Sequence, residues 1–410
     1  MAQTLKFGNK VWAAKEDSVL AYNDINNNYK PLPFTFSRAS IGTRVNKDGL
    51  IETMGQDIAR IDYTDSADGV LLLEPASTNY SVNSELPSTW TYTEFGSGSA
   101  GTITTGKTDM FGGTNAVQID FPSNADNASV FFGSSTSGLT SGNCSISIYV
   151  KLVESGSKNL QLRAGFSDIV NINSTEFQRV NISGTKTNSE AFNLKLRPSV
   201  GTSSGGFSII VCQPQEENNS YATSYIPTSG STVTRAAETC NNSGNSEVFN
   251  DSEGVLFADI SALADDGTYR FLSVSAGAYA NSIRIGYFTT PNVIEFRVVA
   301  GGIPQTQPTH TLSDTTIPAK VAGKYKQNDF ALWVNGFKVD ADTNGNTPSG
   351  LSELAFDDGN NSNNSPFYGK TKELGYYDTA LTDAELETLT SYRNWVSMVN
   401  ELNLNIIYNG

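Results

Sequence analysis

A single histidine limits the acid–base chemistry open to this chain. His310 lies in Gln305–Leu312, a polar, proline-containing run that reads as an exposed loop. A nucleophilic triad needs a positioned base, and a lone loop histidine does not provide one. Retaining hydrolysis of a glycan needs two carboxyl groups about 5 Å apart; no expected strand carries the alternating E-x-D-x-x-E spacing that would set such a pair on one face, and pairs formed across strands are not visible in sequence. An enzyme is therefore not expected. Metal chemistry has one candidate, Asp340-Ala341-Asp342-Thr343-Asn344-Gly345-Asn346. It fits D-x-D-x-N-G, with oxygen ligands at alternate positions and glycine at the sharp turn, so Asp340, Asp342, Asn344 and Asn346 are candidate calcium ligands. Leu351 stands where a bidentate glutamate belongs, and the competing reading is a polar hairpin end. Asp265-Asp266-Gly267 is a weaker acidic turn. Sugar binding needs aromatic platforms beside polar groups. Trp90, Tyr92, Tyr279, Phe367 and Tyr368 are the candidates, each in competition with a role in core packing.

Composition narrows the classes. The chain has 410 residues and a formal net charge of −15, which suits two or three domains with their own cores. No basic stripe exists to replace phosphate counterions, so nucleic acid is not an expected partner. No window is apolar enough to span a bilayer, and the N-terminus lacks the basic-then-apolar pattern of a signal peptide. Cys144, Cys212 and Cys240 form no metal-site spacing and read as small core residues.

The elements that must position any site are strands. Ser145–Leu152 reads S-I-S-I-Y-V-K-L, a period of two with one buried face. Strand signals recur from about Asn79 to Thr239 and restart after the polar linker candidate Asn241–Ser246. Asn335-Gly336 between two apolar runs marks a type I′ hairpin. Thr382 with Glu385 forms a capping box for a short helix, and Trp395–Tyr408 reads as a last strand or an intersubunit strap. The fold class is all-β.

Two stretches carry a resemblance. Residues Phe34, Phe36, Arg38–Ser40, Thr43–Asn46, Gly49–Glu52, Arg60–Tyr63 and Leu71–Asn79 follow F-x-F-x-R-A-S-x-x-T-R-V-N-x-x-G-L-I-E, then R-I-D-Y, then L-L-E-P-x-x-T-N. This resembles a module of bacteriophage virion proteins, found in tail fibres and head or tail appendages ahead of lectin-like sandwiches. Ala222–Pro227 followed by Thr234-Arg235-Ala236 resembles the segment that closes the next sandwich in such proteins. The hairpin at Asn335-Gly336, the strand Gly369–Tyr377 and Ala380–Leu386 resemble a concanavalin A-like (laminin-G-like) lectin sandwich. Within the first stretch Arg38, Arg44 and Arg60 stand among Glu52, Asp57, Asp62 and Glu74, which suggests internal ion pairing.

The resemblance implies an order of parts: an arm at 1–30, an anchoring module at 31–80, a jelly-roll sandwich at 81–240 and a concanavalin A-like sandwich at 247–410. It implies a structural virion protein, a tail fibre, head fibre or capsid decoration, that adheres to glycans. The expected partners are other virion proteins, bound through the N-terminal region with Phe7 and Trp12 as anchors, and two further copies of the chain in a trimer. A glycan depolymerase, a ligand-free decoration and a bacterial surface adhesin are the alternatives.

Overall fold

The computed structural model describes residues 5–8, 12–15, 18–20, 32–94, 101–122, 128–132, 139–140, 142–163, 166–186, 194–198, 206–360 and 364–402. The fold is all-β, as expected, and every pairing between named strands is antiparallel. The chain forms two compact units. The first combines Met1–Ala39, Gly55–Pro75 and Ala237–Gly410; the second combines Ser40–Met54 and Ala76–Ala236.

In the first unit an eight-stranded sheet faces a six-stranded one. The larger runs Phe337–Asp342, Phe330–Val334, Ala319–Lys326, Glu253–Ala262, Gly369–Tyr377, Val70–Leu73 and Arg60–Asp62, with Leu5–Gly8 also on Gly369–Tyr377. The smaller runs Ile303–Thr306, Val293–Ala300, Ser282–Tyr287, Arg270–Ser275 and Glu353–Ala355, with Thr309–Thr311 also on Val293–Ala300. Period-two alternation builds the core between them. Leu256, Ala258, Ile260, Val321 and Leu332 from one sheet meet Ile283, Ile285, Ile294, Phe296 and Val298 from the other. Each Leu, Ile, Val or Phe among them contributes about 1.5–3 kcal/mol when fully buried. The helix Asp383–Thr390 lays Leu386 on Phe257, Trp333 and Tyr377, on the other side of the larger sheet. Its capping box at Thr382 and Glu385 forms as expected. The hairpin at Asn335 and Gly336 has φ of 50° and 89°, the type I′ signature, for which glycine's missing Cβ is suited.

The second unit is a sandwich of two five-stranded sheets among the described residues. The long strands Gly142–Leu152 and Phe207–Glu217 are neighbours in one sheet. Ile146, Ile148, Val150, Ile209 and Val211 pack with Leu160, Leu162 and Ile172 of the other. All three cysteines are buried and free, matching the expected core role.

Several expectations are corrected. The stretch 31–80 is not a body of its own. Phe34–Ser37, Arg60–Asp62 and Val70–Leu73 join the first unit, while Gly42–Val45, Ile51–Met54 and Ser77–Asn79 join the second. Short strands cannot bury a face alone: Arg60–Asp62 and Val70–Leu73 extend the eight-stranded sheet, whereas Gly42–Val45 pairs with Ile51–Met54 and Ser77–Asn79 with Val233–Arg235 in two-stranded ribbons. Phe7, expected as a docking anchor, is 1 % exposed and lies in the first core with Leu5 and Val19. Trp12 is half-buried against the same core. Residues 241–246 are not a free linker: Thr239–Asn241 is a strand, and Ser243 exchanges backbone hydrogen bonds with Leu354. Trp395–Glu401 is a helix rather than a strand, and residues 403–410 lie outside those described. His310 sits in the strand Thr309–Thr311, opposite Ile294, instead of in a loop.

Candidate functional site

The ion pairing expected around the first resemblance is present, with a partner from far along the chain. Glu238 takes Arg38 Nη1 at 2.7 Å and Arg60 Nη2 at 2.5 Å, and Arg60 Nη1 meets Glu74 at 2.8 Å. Arg38, Arg60, Glu74 and Glu238 are all at least 98 % buried. Burial works against the Arg60 charge, but Glu238 and Glu74 outweigh it and raise its pKa. With both guanidiniums matched by carboxylates, this cluster is a structural brace. Arg44 pairs with Glu52 at 2.9 Å on the surface, and Asp57 accepts from the Arg38 backbone N–H.

The functional candidate lies on the six-stranded sheet, on the face turned away from the core. In Ser282–Tyr287, Ile283, Ile285 and Tyr287 enter the core. Alternation therefore sends Ser282, Arg284 and Gly286 to the other face. Register sets Ser273 opposite Arg284 on one side and Arg297 opposite it on the other. Phe271 and Glu295 flank Gly286 in the same way. Arg284 is 2 % exposed, with its guanidinium carbon 4.4 Å from the Tyr279 ring centre and 5.1 Å from that of Phe271. Its Nε and Nη2 have no hydrogen-bond partner among the described residues, and neither does Ser273 Oγ. Its neighbours Glu295 and Arg297 form an ion pair, although Glu295 Oε1 and Arg297 Nε make no hydrogen bond. Glu295 Oε1 meets Arg297 Nε at 2.8 Å, and Glu295 Oε2 accepts from Gln307 Nε2 at 2.7 Å.

Burial, with the Arg297 charge next, lowers the pKa of Arg284, while Tyr279 and Glu295 oppose that shift. A turn at Asp357–Gly359 bounds the face. Gly359 has φ of 80°, and a Cβ there would stand 2.8 Å from Ser275 Cβ and 3.1 Å from Ser273 Oγ. Only glycine lets the turn lie so close to the serines. Burial pushes the Asp357 carboxyl up to about 6, although Gly359 N–H and Asn241 Nδ2 donate to it. Burial also raises Asp358, against the pull of Arg284. Aromatic rings, a desolvated guanidinium and an unsatisfied hydroxyl thus meet on one buried face.

Of the aromatic candidates, this face gathers one, Tyr279. Trp90 is 5 % exposed in the second core and donates Nε1–H to Asn83 O at 3.0 Å. Phe367 is fully buried in the first core, and Tyr368 packs against that core from its edge. These rings complete sandwich interiors, which is why they do not serve as platforms. Tyr92 lies in the strand Thr91–Glu94, but its side chain falls outside the described residues. Arg284 has a signal in hindsight: S-I-R-I-G-Y sets an arginine mid-strand between two core isoleucines.

The calcium candidates do not wind round a centre. Asp340 and Asp342 lie within the strand Phe337–Asp342, so their Cα atoms are separated by about 7 Å along it. Asp340 Oδ1 accepts from Ala341 N, Asp342 Oδ1 from Asn344 N, and Asn346 Oδ1 from Gln327 Nε2. These residues do not fit a wrapped oxygen cage, and no ion is assigned to them. A separate cavity of about 730 Å³ in the first unit is lined by Asp65, Asp259, Pro318, Lys370 and Lys372 among others. Its described lining has no aromatic ring, and Asp65 and Lys370 pair with each other.

The fold defines an all-β sandwich protein with antiparallel sheets. No protein-family model matches the chain, and no curated protein matches it either. Among solved structures it is similar to the Ruminococcus gnavus IT-sialidase CBM40 bound to alpha2,3 sialyllactose, at 15 % identity and TM-score 0.31, covering 35 % of this chain and 84 % of that one. It is also similar to mouse laminin alpha1 domains LG4-5, at 10 % identity and TM-score 0.23, covering 65 % and 90 %. A third is Trypanosoma rangeli sialidase in complex with the inhibitor DANA, at 8 % identity and TM-score 0.28, covering 93 % and 82 %. Identities and scores this low transfer neither a ligand nor an activity to this chain.

Proposed function

We propose that this chain is a non-enzymatic, glycan-binding virion appendage protein whose sugar site is the outer face of the six-stranded sheet. One observation carries the binding reading. Arg284 and Ser273 hold buried, unsatisfied polar atoms beside the Tyr279 and Phe271 rings. Unmatched buried polar groups cost stability, and a sugar's hydroxyls would match them while its apolar face stacks on tyrosine. The virion setting, attachment to other virion proteins and a trimeric state rest on the resemblance of Phe34–Asn79 to phage modules. Single sugar contacts are weak, so copies on one particle would act through effective concentration.

The test uses the full chain, because the first unit draws on both ends of the sequence. Displayed multivalently, it should be retained on glycan-coated surfaces, and Tyr279→Ala should reduce retention at least several-fold, with circular dichroism checking that the fold is kept. Polysaccharide length should not change on incubation. Shortened polymer would replace the reading with a depolymerase. No retention on multivalent display would leave a ligand-free decoration.

A further inference from the structure

The face described above contains an imbalance that sugar hydroxyls alone do not resolve. Arg284 carries a full positive charge at 2 % exposure, and no carboxylate lies within ion-pair distance of it among the described residues. Elsewhere in this unit buried guanidiniums are matched: Arg38 and Arg60 by Glu238, and Arg270 by Asp266 at 2.8 Å. Leaving one charge unmatched in such a setting is expensive. Glu295 is ion-paired with Arg297 instead, and its Oε2 accepts from Arg297 Nη2 and Gln307 Nε2. The Phe271 and Tyr279 rings both lie within cation–π distance of its guanidinium. Nε and Nη2, the two atoms without partners, form one edge of the guanidinium. That edge matches the two oxygens of a carboxylate, each accepting one parallel N–H bond.

We infer that the ligand of this face is an acidic sugar, whose carboxylate is clamped by the Nε and Nη2 edge of Arg284 while Ser273 Oγ and the Tyr279 ring hold the sugar beside it. The inference rests on the glycan-binding reading and narrows it to one chemical class. Ser273 Oγ, also unsatisfied, stands across the strand pair from Arg284 and suits a ring hydroxyl or the carboxylate itself. Asp358 is the adverse neighbour. Burial raises its pKa, while the Asn360 N–H and the Arg284 charge oppose that shift.

The experiment is a glycan array probed with the full chain. It carries galacturonic-acid oligomers, N-acetylneuraminyl glycans, the methyl esters of both, and neutral galactose oligomers. Charge-assisted hydrogen bonds exceed neutral ones enough to give roughly tenfold or greater preference for the free acid over its ester. The arm that responds identifies the source of the carboxylate. Arg284→Lys keeps the charge and loses the planar fork, so it should lose most of that preference while retaining weak binding. Arg284→Gln should bind acid and ester alike. Circular-dichroism melts check both variants, and the ester comparison needs no variant. Equal binding of acids, esters and neutral oligomers would overturn the acidic-sugar inference and leave the glycan reading standing. Binding to no glycan on the array would overturn both.

Discussion

Replacing Glu238 with glutamine should unfold the first unit far more readily, and the structure sets the size of the effect. Glu238 is 1 % exposed and accepts four hydrogen bonds. Oε1 takes Arg38 Nη1 at 2.7 Å and Arg60 Nε at 2.8 Å. Oε2 takes Arg60 Nη2 at 2.5 Å and the Glu74 backbone N–H at 2.8 Å. Glutamine keeps the shape and removes the charge. It also turns one oxygen into an NH₂ that faces two donors. The carboxylate that Arg38 and Arg60 share would be lost, and Arg60 would keep Glu74. Breaking a buried pair in this way costs about 3–5 kcal/mol. For a unit of this size each kcal/mol moves the melting temperature by roughly 2–4 °C, so the transition of the first unit should fall by roughly 6–20 °C. Glu52→Ala is the matched control, since it breaks the surface pair with Arg44 and should cost about 1 kcal/mol or less. Differential scanning calorimetry on both variants decides the matter. If Glu238→Gln melts within a degree or two of Glu52→Ala, the brace does not hold the unit together and the reasoning fails.

Two further outcomes follow from the same packing. Phe7→Ala should destabilise the first unit by about 3–5 kcal/mol, because Phe7 is 1 % exposed with its ring 4.5 Å from that of Phe34; a denaturant midpoint unchanged from wild type would return Phe7 to a peripheral arm. Asp357, held at about 6 against an ordinary 3.8, favours its neutral form when folded. Its contribution is therefore fully present below about pH 4 and lost as pH rises through 6. Asp357→Asn should raise the melting temperature at pH 8 and leave it nearly unchanged at pH 4, and an equal effect at both values would refute the assignment.

Some features of this chain are written in short sequence intervals. Alternation in Ser145–Leu152 marked a strand, although Ser145, Ser147 and Tyr149 are buried as well as Ile146, Ile148 and Val150, so both faces are covered where one was expected; Asn335-Gly336 marked a type I′ turn, and Thr382 with Glu385 a capped helix. Each depends on contacts between residues two to four apart, so spacing alone determines it. The presence of buried cysteines and of internal pairing for Arg38 and Arg60 was legible for a related reason: small apolar groups and clustered opposite charges have few other stable fates. The allocation of partners was not legible. Glu238 lies 200 residues from Arg38 and 178 from Arg60, and no local pattern selects it over the nearer carboxylates. Local pattern also could not decide that Leu5–Gly8 would pair with Gly369–Tyr377, or that Phe367 would be buried while Tyr279 flanked a charge. Nor could it mark Arg284, whose isolation is a statement about which groups fail to reach it. Strand edges are chemically alike along any backbone, so their pairing is settled by which side chains can fill a common core. That choice belongs to the folded chain as a whole.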